Sequence, residues 1–167
     1  PTASNLDELK LLEQVADLVW AGRPNELDGA DLVVLPGSKH VAADLAWLRE
    51  RGLDRAIADR AARGERVLAI CGGLQLLGGA IEDSAGVDGF GTGLGLLPVR
   101  TVFGAEKRTE RVDVVVGALP EPWQALSGLT FSGYEIRHGE VAPTGQRLAH
   151  DRFGLRACVD GLEPEAP

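Results

Sequence analysis

Cys71 is the residue best placed to do chemistry, in the run Ala69-Ile70-Cys71-Gly72-Gly73-Leu74-Gln75. A thiol attacks as thiolate, so a working cysteine needs a position that exposes it and favours its ionised form. The end of a buried strand that bends at once into a helix is such a position. The side chain there leaves the carboxyl edge of the sheet, and the helix start behind it offers unpaired N–H groups and partial positive charge. Small residues two before and two after the nucleophile permit the bend; Ala69 and Gly73 satisfy both, and Gly72 is placed to offer its N–H to an oxyanion. A buried structural thiol at a strand end is the alternative that this pattern alone leaves open.

A second segment, Leu35-Pro36-Gly37-Ser38-Lys39, places a glycine turn at the carboxyl end of another apolar run, where open α/β sheets bind their ligands. The N–H groups around Gly37 and Ser38 would add the further donor that a tetrahedral acyl intermediate needs. An ordinary strand-to-helix loop has the same composition. Cys158 lies in an apolar stretch with no glycine turn after it and reads as a core thiol. Three histidines could serve as a base: His40 just past the Pro-Gly-Ser loop, His138 beside a strand-like run, and His150 next to Asp151 in a polar turn. Exposure to solvent is the default for His40 and His150.

The elements that must hold these residues are legible from hydropathy. Asp31–Leu35 and Arg66–Ile70 are short continuous apolar runs, the pattern of strands buried on both faces. Between them, Leu45, Leu48, Leu53, Ile57 and Ala61 recur at helical spacing, with Gly52 interrupting and Gly64 closing, which predicts two short helices or one broken one. Leu74–Leu77 continues as a helix. Strand, helix, strand, helix in that order predicts a parallel crossover and an α/β sheet covered on both faces. The glycines at 86, 89, 91, 93 and 95 predict a loop from Glu82 to Gly95. Beyond it, Val112–Val116, Phe131–His138 and Leu155–Val159 read as strands of an antiparallel or mixed edge region.

At 167 residues the chain suits one domain with one site. Seventeen basic against 25 acidic residues leave a net charge of −8, which repels nucleic acid and anionic membrane surfaces. Two cysteines far apart give neither metal-ligand spacing nor a disulfide framework, and no metal site is expected. With no apolar run long enough to span a bilayer and no signal-peptide pattern, a cytoplasmic location is expected. The chain opens on Pro1 and closes on the polar Glu163-Pro164-Glu165-Ala166-Pro167, and we read it as a piece of a longer polypeptide, residues 1–167 forming a single domain.

Several stretches, in order, resemble the glutaminase domain of the cobyric acid synthases, class I glutamine amidotransferases of the cobalamin pathway. They are Ser4-Asn5, Leu35 to Lys39, Ile70 to Gly78, Gly93 to Leu97 with Thr101, Lys107 and Thr109, and Gly133-Tyr134-Glu135-Ile136 with Gly139. The resemblance implies a flavodoxin-like three-layer sandwich with a mostly parallel central sheet. It implies Cys71 as nucleophile and Gly37 and Gly72 in the oxyanion hole, with Gln75 and the Tyr134-Glu135 strand holding glutamine. It implies a cysteine–histidine pair without a third member, so that Glu135 reads as a hydrogen-bond acceptor within its strand. The implied partner is a synthetase domain, fused or separate, using ATP and Mg²⁺ to amidate carboxylates of a corrin substrate; no cofactor is implied in this domain. The family's catalytic histidine lies in a Gly-x-Tyr-x-His-Gly pattern that these 167 residues do not contain. Where the family often has a histidine, one position before His138, Arg137 stands. A glutaminase of another amidating ligase, such as cobyrinic acid a,c-diamide synthase or a lipid II amidase, is the nearest alternative. A non-catalytic interaction module of the same fold and a cysteine-dependent redox or chaperone-like protein are more distant ones.

Overall fold

A computed structural model describes Ala3, Ser4 and residues 9–144. Strand β1 (Leu32–Leu35) and strand β2 (Arg66–Ala69) pair in parallel, from Leu32 opposite Arg66 to Leu35 opposite Ala69. The pairing runs one step further, since the N–H of Ile70 donates to the Leu35 carbonyl at 3.0 Å. Two helices fill the connection, α1 (Val41–Glu50) and α2 (Leu53–Ala62), broken at Gly52 in a left-handed conformation. The break falls where the interrupting glycine predicts it. Val41, Leu45 and Leu48 on α1, and Leu53 and Ile57 on α2, are buried and join Val33 and Leu35 in one core. Each such Leu or Ile contributes about 1.5–3 kcal/mol by leaving water.

Helix α3 (Gly72–Leu77) follows β2 after a single intervening turn, and its Leu76 and Leu77 enter the same core. Strand β3 (Ala80–Glu82) then pairs in parallel with β4 (Val99–Val115), which pairs antiparallel with β5 (Thr130–Pro143). The described residues therefore hold a two-stranded parallel sheet and a three-stranded mixed one. The second sheet is the mixed region expected beyond the glycine-rich loop.

Its strands exceed the expectation. Val112–Val116 and Phe131–His138 mark only the outer parts of β4 and β5, which run 17 and 14 residues. The stretch Gly104–Arg111 is polar and exposed, so no apolar alternation marks it, and the pairing shifts register between Phe103 and Arg108. Strand β3 is three residues long, too short for any period, although Ile81 at its centre is buried. The strand expected at Leu155–Val159 lies outside the described residues.

The glycine-rich loop is organised by a buried carboxylate. Asp83 is 1% exposed and accepts hydrogen bonds from the N–H groups of Val87 (3.0 Å), Asp88 (2.6 Å) and Gly89 (2.6 Å). These donors hold its carboxyl below the usual aspartate range, the Val87 N–H contributing most. Asp88, fixed in that loop, in turn accepts from the N–H of Ala42 at 3.0 Å and so caps α1 from across the chain.

Two outcomes follow from this packing. A folded-state pKa below the unfolded one makes the Asp83 contribution complete above the ordinary aspartate value of about 3.9, and lost as pH falls through the lower folded value. Asp83→Asn should therefore lower Tm most at neutral pH, and the gap to wild type should narrow in thermal melts as the solution is acidified below the ordinary aspartate value of about 3.9; a gap independent of pH would rule out the carboxylate's charge as its cause. Gly73 supplies the second test. A Cβ there would stand 2.8 Å from the Leu35 carbonyl carbon and 2.9 Å from the Pro36 oxygen, with the Leu35 oxygen closer still. Because all of these are backbone atoms, Gly73→Ala should cost about 3 kcal/mol, a fall of roughly 10 °C in Tm. An alanine variant melting with wild type would show that the turn relaxes.

Candidate active site

Cys71 stands between β2 and α3 with φ 52° and ψ −113°, and no other non-glycine among the described residues has a positive φ. Such a conformation costs on the order of 1–3 kcal/mol and persists only where the surroundings dictate it. Here the Cys71 carbonyl accepts from the N–H groups of Leu74 (2.9 Å) and Gln75 (3.3 Å), while Gly73 N–H donates to the Ile70 carbonyl at 2.8 Å. The result is an exposed thiol at the carboxyl edge of the parallel pair. Exposure removes the buried structural cysteine as a reading of this residue.

The Pro36–Ser38 turn presses against the same spot. A Cβ on Gly72 would meet the Ser38 nitrogen at 2.6 Å, and one on Gly37 would lie 3.9 Å from the Cys71 Cβ. Gly72 must therefore be glycine for the two turns to touch. The turn is held from its far side by Ser4, whose N–H donates to the Gly37 carbonyl at 2.8 Å, and by a bridge between Ala3 and Ser38. The N–H groups of Gly37, Ser38 and Gly72 donate to nothing among the described residues. Three unspent donors around one exposed thiol are what a tetrahedral oxyanion requires.

Strand β5 closes the other side. The Cys71 Sγ lies 3.9 Å from the Ile136 carbonyl oxygen, to which the thiol donates. Gln75, one helical turn behind Cys71, is 7% exposed, and its Nε2 lies 3.1 Å from where a Cβ on Gly139 would sit. Its amide is thus lodged under β5, beside Thr101. Tyr134 and Glu135 precede Ile136, and strand alternation sends their side chains to opposite faces. Tyr134 is 71% exposed, whereas Glu135 is half-buried in ion pairs with Arg137 and with Arg108, the latter at 3.7 Å. Glu135 therefore does act as a hydrogen-bond acceptor within its strand.

The structure thus brings together Cys71, Gly37, Ser38 and Gly72, sets Gln75 behind them, and runs the Tyr134–Ile136 strand past the sulfur. Among the histidines, His40 is 61% exposed with Nδ1 3.5 Å from Asp88 Oδ1. His138 is exposed on β5, two residues beyond Ile136. His150 and Cys158 lie outside the described residues. No group of three or more His, Cys, Asp or Glu among the described residues could hold a metal ion, and none of the described helices is long and apolar enough to cross a membrane.

Sequence reasoning passed over Asp44 and Asp88. Asp44 is 7% exposed and accepts the Ser38 hydroxyl at 2.7 Å. The signal was present: Asp44 falls on the buried stripe Val41, Asp44, Leu45, Leu48, and a carboxylate on an apolar stripe requires a partner. Asp88 carried no such signal, because its partner is 46 positions away in sequence.

Comparison with known proteins matches this geometry to a family. Residues 1–157 match the model of the CobB/CobQ-like glutamine amidotransferase domain. The chain is 58% identical over 144 residues to cobyric acid synthase of Paracidovorax citrulli (strain AAC00-1), covering 85% of this chain and 29% of that protein. It is 55% identical over 164 residues to cobyric acid synthase of Variovorax paradoxus (strain S110), covering 97% and 34%. The chain thus spans about a third of the length of these relatives. A solved glutamine amidotransferase structure superposes with a TM-score of 0.65 at 20% identity, over 86% of this chain and 72% of that one. That likeness is one of fold, and it bears out the flavodoxin-like α/β class. On the family match and these identities, the chain belongs to the CobB/CobQ-like glutamine amidotransferase domains.

Proposed function

We propose that the chain is the glutaminase part of a cobyric acid synthase, releasing ammonia from glutamine for the ATP-dependent amidation of corrin carboxylates. The observation that carries the reading is the exposed Cys71 thiol in its strained turn, with the unspent N–H groups of Gly37, Ser38 and Gly72 on the two touching turns beside it. The names of the relatives at 58% and 55% identity support the pathway over other amidating ligases.

In this reading the Cys71 sulfur attacks the carboxamide carbon of glutamine, and the developing oxyanion is received by the three N–H groups. The carbon–nitrogen bond then breaks, ammonia leaves with the proton it needs, and a thioester remains on Cys71. Water adds to the thioester and releases glutamate, regenerating the thiol. Gln75 and the Tyr134–Glu135 strand form the wall against which glutamine is held. The proton transfers need a general base. The Ile136 carbonyl to which the thiol donates cannot take that role, and on the family resemblance we assign the base to a histidine outside the described residues. Ammonia passes to a synthetase part that uses ATP and Mg²⁺ and is fused or separate. The whole is placed in the cytoplasm.

Two measurements test this reading. In the complete polypeptide, diazo-oxo-norleucine should attach to Cys71 and spare Cys158, read by mass spectrometry of the peptides. Equal labelling of both thiols, or none, would return the chain to the binding-module reading. Cys71→Ala should lower glutamine-dependent glutamate release by about a thousandfold or more, while amidation driven by added ammonium salt continues; loss of both together would show that Cys71 serves the fold rather than the glutaminase step.

A further inference from the structure

Asp44 lies on a helix and is separated from Cys71 by the Pro36–His40 turn, yet it closes a ring of hydrogen bonds that fixes that turn. The Ser38 hydroxyl donates to Asp44 Oδ2 at 2.7 Å, the N–H of His40 donates to the Ser38 Oγ at 3.1 Å, and the N–H of Asp44 donates to the His40 carbonyl at 3.0 Å. Each bond constrains the next: hydroxyl to carboxylate, amide to hydroxyl, amide to carbonyl. The carboxylate is buried, with the apolar Val41, Leu45 and Leu48 sharing its helix stripe, and it sits in the first turn of α1, where the helix favours negative charge. Asp88 secures the same turn of helix by accepting the Ala42 N–H at 3.0 Å, so α1 is anchored before it anchors the loop.

The ring consumes the Ser38 side chain and leaves the Ser38 N–H unspent, with its nitrogen 2.6 Å from where a Cβ on Gly72 would be. An oxyanion donor acts over a window of a few tenths of an ångström, and a misplacement of about 1 Å costs roughly a hundredfold in rate. We infer that Asp44 is a positioning residue for the acyl-transfer step: through the Ser38 hydroxyl it holds the Ser38 N–H at the distance from Cys71 that an oxyanion requires. This rests on the glutaminase reading of Cys71, and it adds a group that acts through the Ser38 hydroxyl.

The test compares wild type, Asp44→Ala, Ser38→Ala, the double variant and Asp44→Asn in the complete polypeptide. It uses glutamine turnover and, separately, alkylation of Cys71 by iodoacetamide, a displacement at saturated carbon that forms no oxyanion. Asp44→Ala and Ser38→Ala should each lower kcat for glutamine hydrolysis 10- to 100-fold, with KM changed less than threefold. The double variant should be no worse than either single one, since both break the same bond. Iodoacetamide should alkylate Cys71 in all of them within twofold of the wild-type rate. Asp44→Asn, which keeps an acceptor oxygen and carries the test should alanine fail to fold, should recover turnover to within threefold of wild type. Effects that multiply in the double variant, an alkylation rate falling in step with turnover, an unchanged kcat in Asp44→Ala, or Asp44→Asn no better than alanine would each overturn the assignment. Wild-type protein that neither hydrolyses glutamine nor takes diazo-oxo-norleucine on Cys71 would instead remove the glutaminase reading, and this one with it.

Discussion

The carbonyl oxygen of Leu35 occupies the space that any side chain at position 73 would need, and the arrangement of the site descends from that contact. With hydrogen at Gly73, the first turn of α3 can lie against the end of β1 while β2 ends beside it. The backbone is then forced to reverse at Cys71, which takes up the unfavourable dihedral angles. The strain at the thiol is therefore set by packing elsewhere. Parallel pairing of β1 with β2 fixes the two strand ends side by side, and the glycines at 72 and 73 let the loops above them touch. Neither condition alone would bring the backbone of Ser38 against that of Gly72 beside Cys71.

Buried carboxylates do the rest of the fixing. Asp83 gathers three N–H groups of the glycine-rich loop, which places Asp88 against the start of α1, and α1 carries Asp44 to the Ser38 hydroxyl. Desolvating three acidic groups would be costly if they were left unpaired, yet each accepts from N–H or O–H donors within hydrogen-bonding distance. Loops rich in glycine lose much conformational entropy on ordering, and a charge that accepts several backbone donors offsets part of that loss. The stretch from Glu82 to Gly95 reads in sequence as a loop; in the structure its Asp83 and Asp88 make it a brace on the helix that supports the reactive turn.

Features with a local cause could be read from the residues alone. The end of β1 at Leu35, the helix break at Gly52 and the turn at Cys71 each follow from a few neighbouring residues and are where they were expected, while β2 ends at Ala69, one residue short of the expected Ile70. The outer parts of β4 and β5 were legible for the same reason, as short alternating runs. What was not legible depends on contacts far apart in sequence. The polar middle of β4 becomes a strand because β5 is there to pair with it, and β3 exists only through its partner. Among the candidate site residues, Gly37, Ser38 and Gly72 are read from turn chemistry, whereas Gln75, Tyr134 and Glu135 rest on family likeness. The separation of the Tyr134 and Glu135 side chains onto opposite faces needed the strand itself. Asp44 was within reach, since a charge on an apolar stripe calls for explanation.

Strand β5 is one uninterrupted length from Thr130 to Pro143, buried at Gly139 and open to solvent toward Thr130. Gly139 wedges it against Gln75, Thr101 and Phe103, while the portion beyond Ile136 toward Thr130 pairs, among the described residues, with β4. Mechanically this is a cantilever, with its root in the core and its tip in water. Deflection in such a beam grows with distance from the root, and Ile136, whose carbonyl faces the sulfur, lies only three residues from Gly139. The thiol therefore borders the stiff end of a limber arm, and large excursions at the tip can coexist with a quiet wall beside the nucleophile.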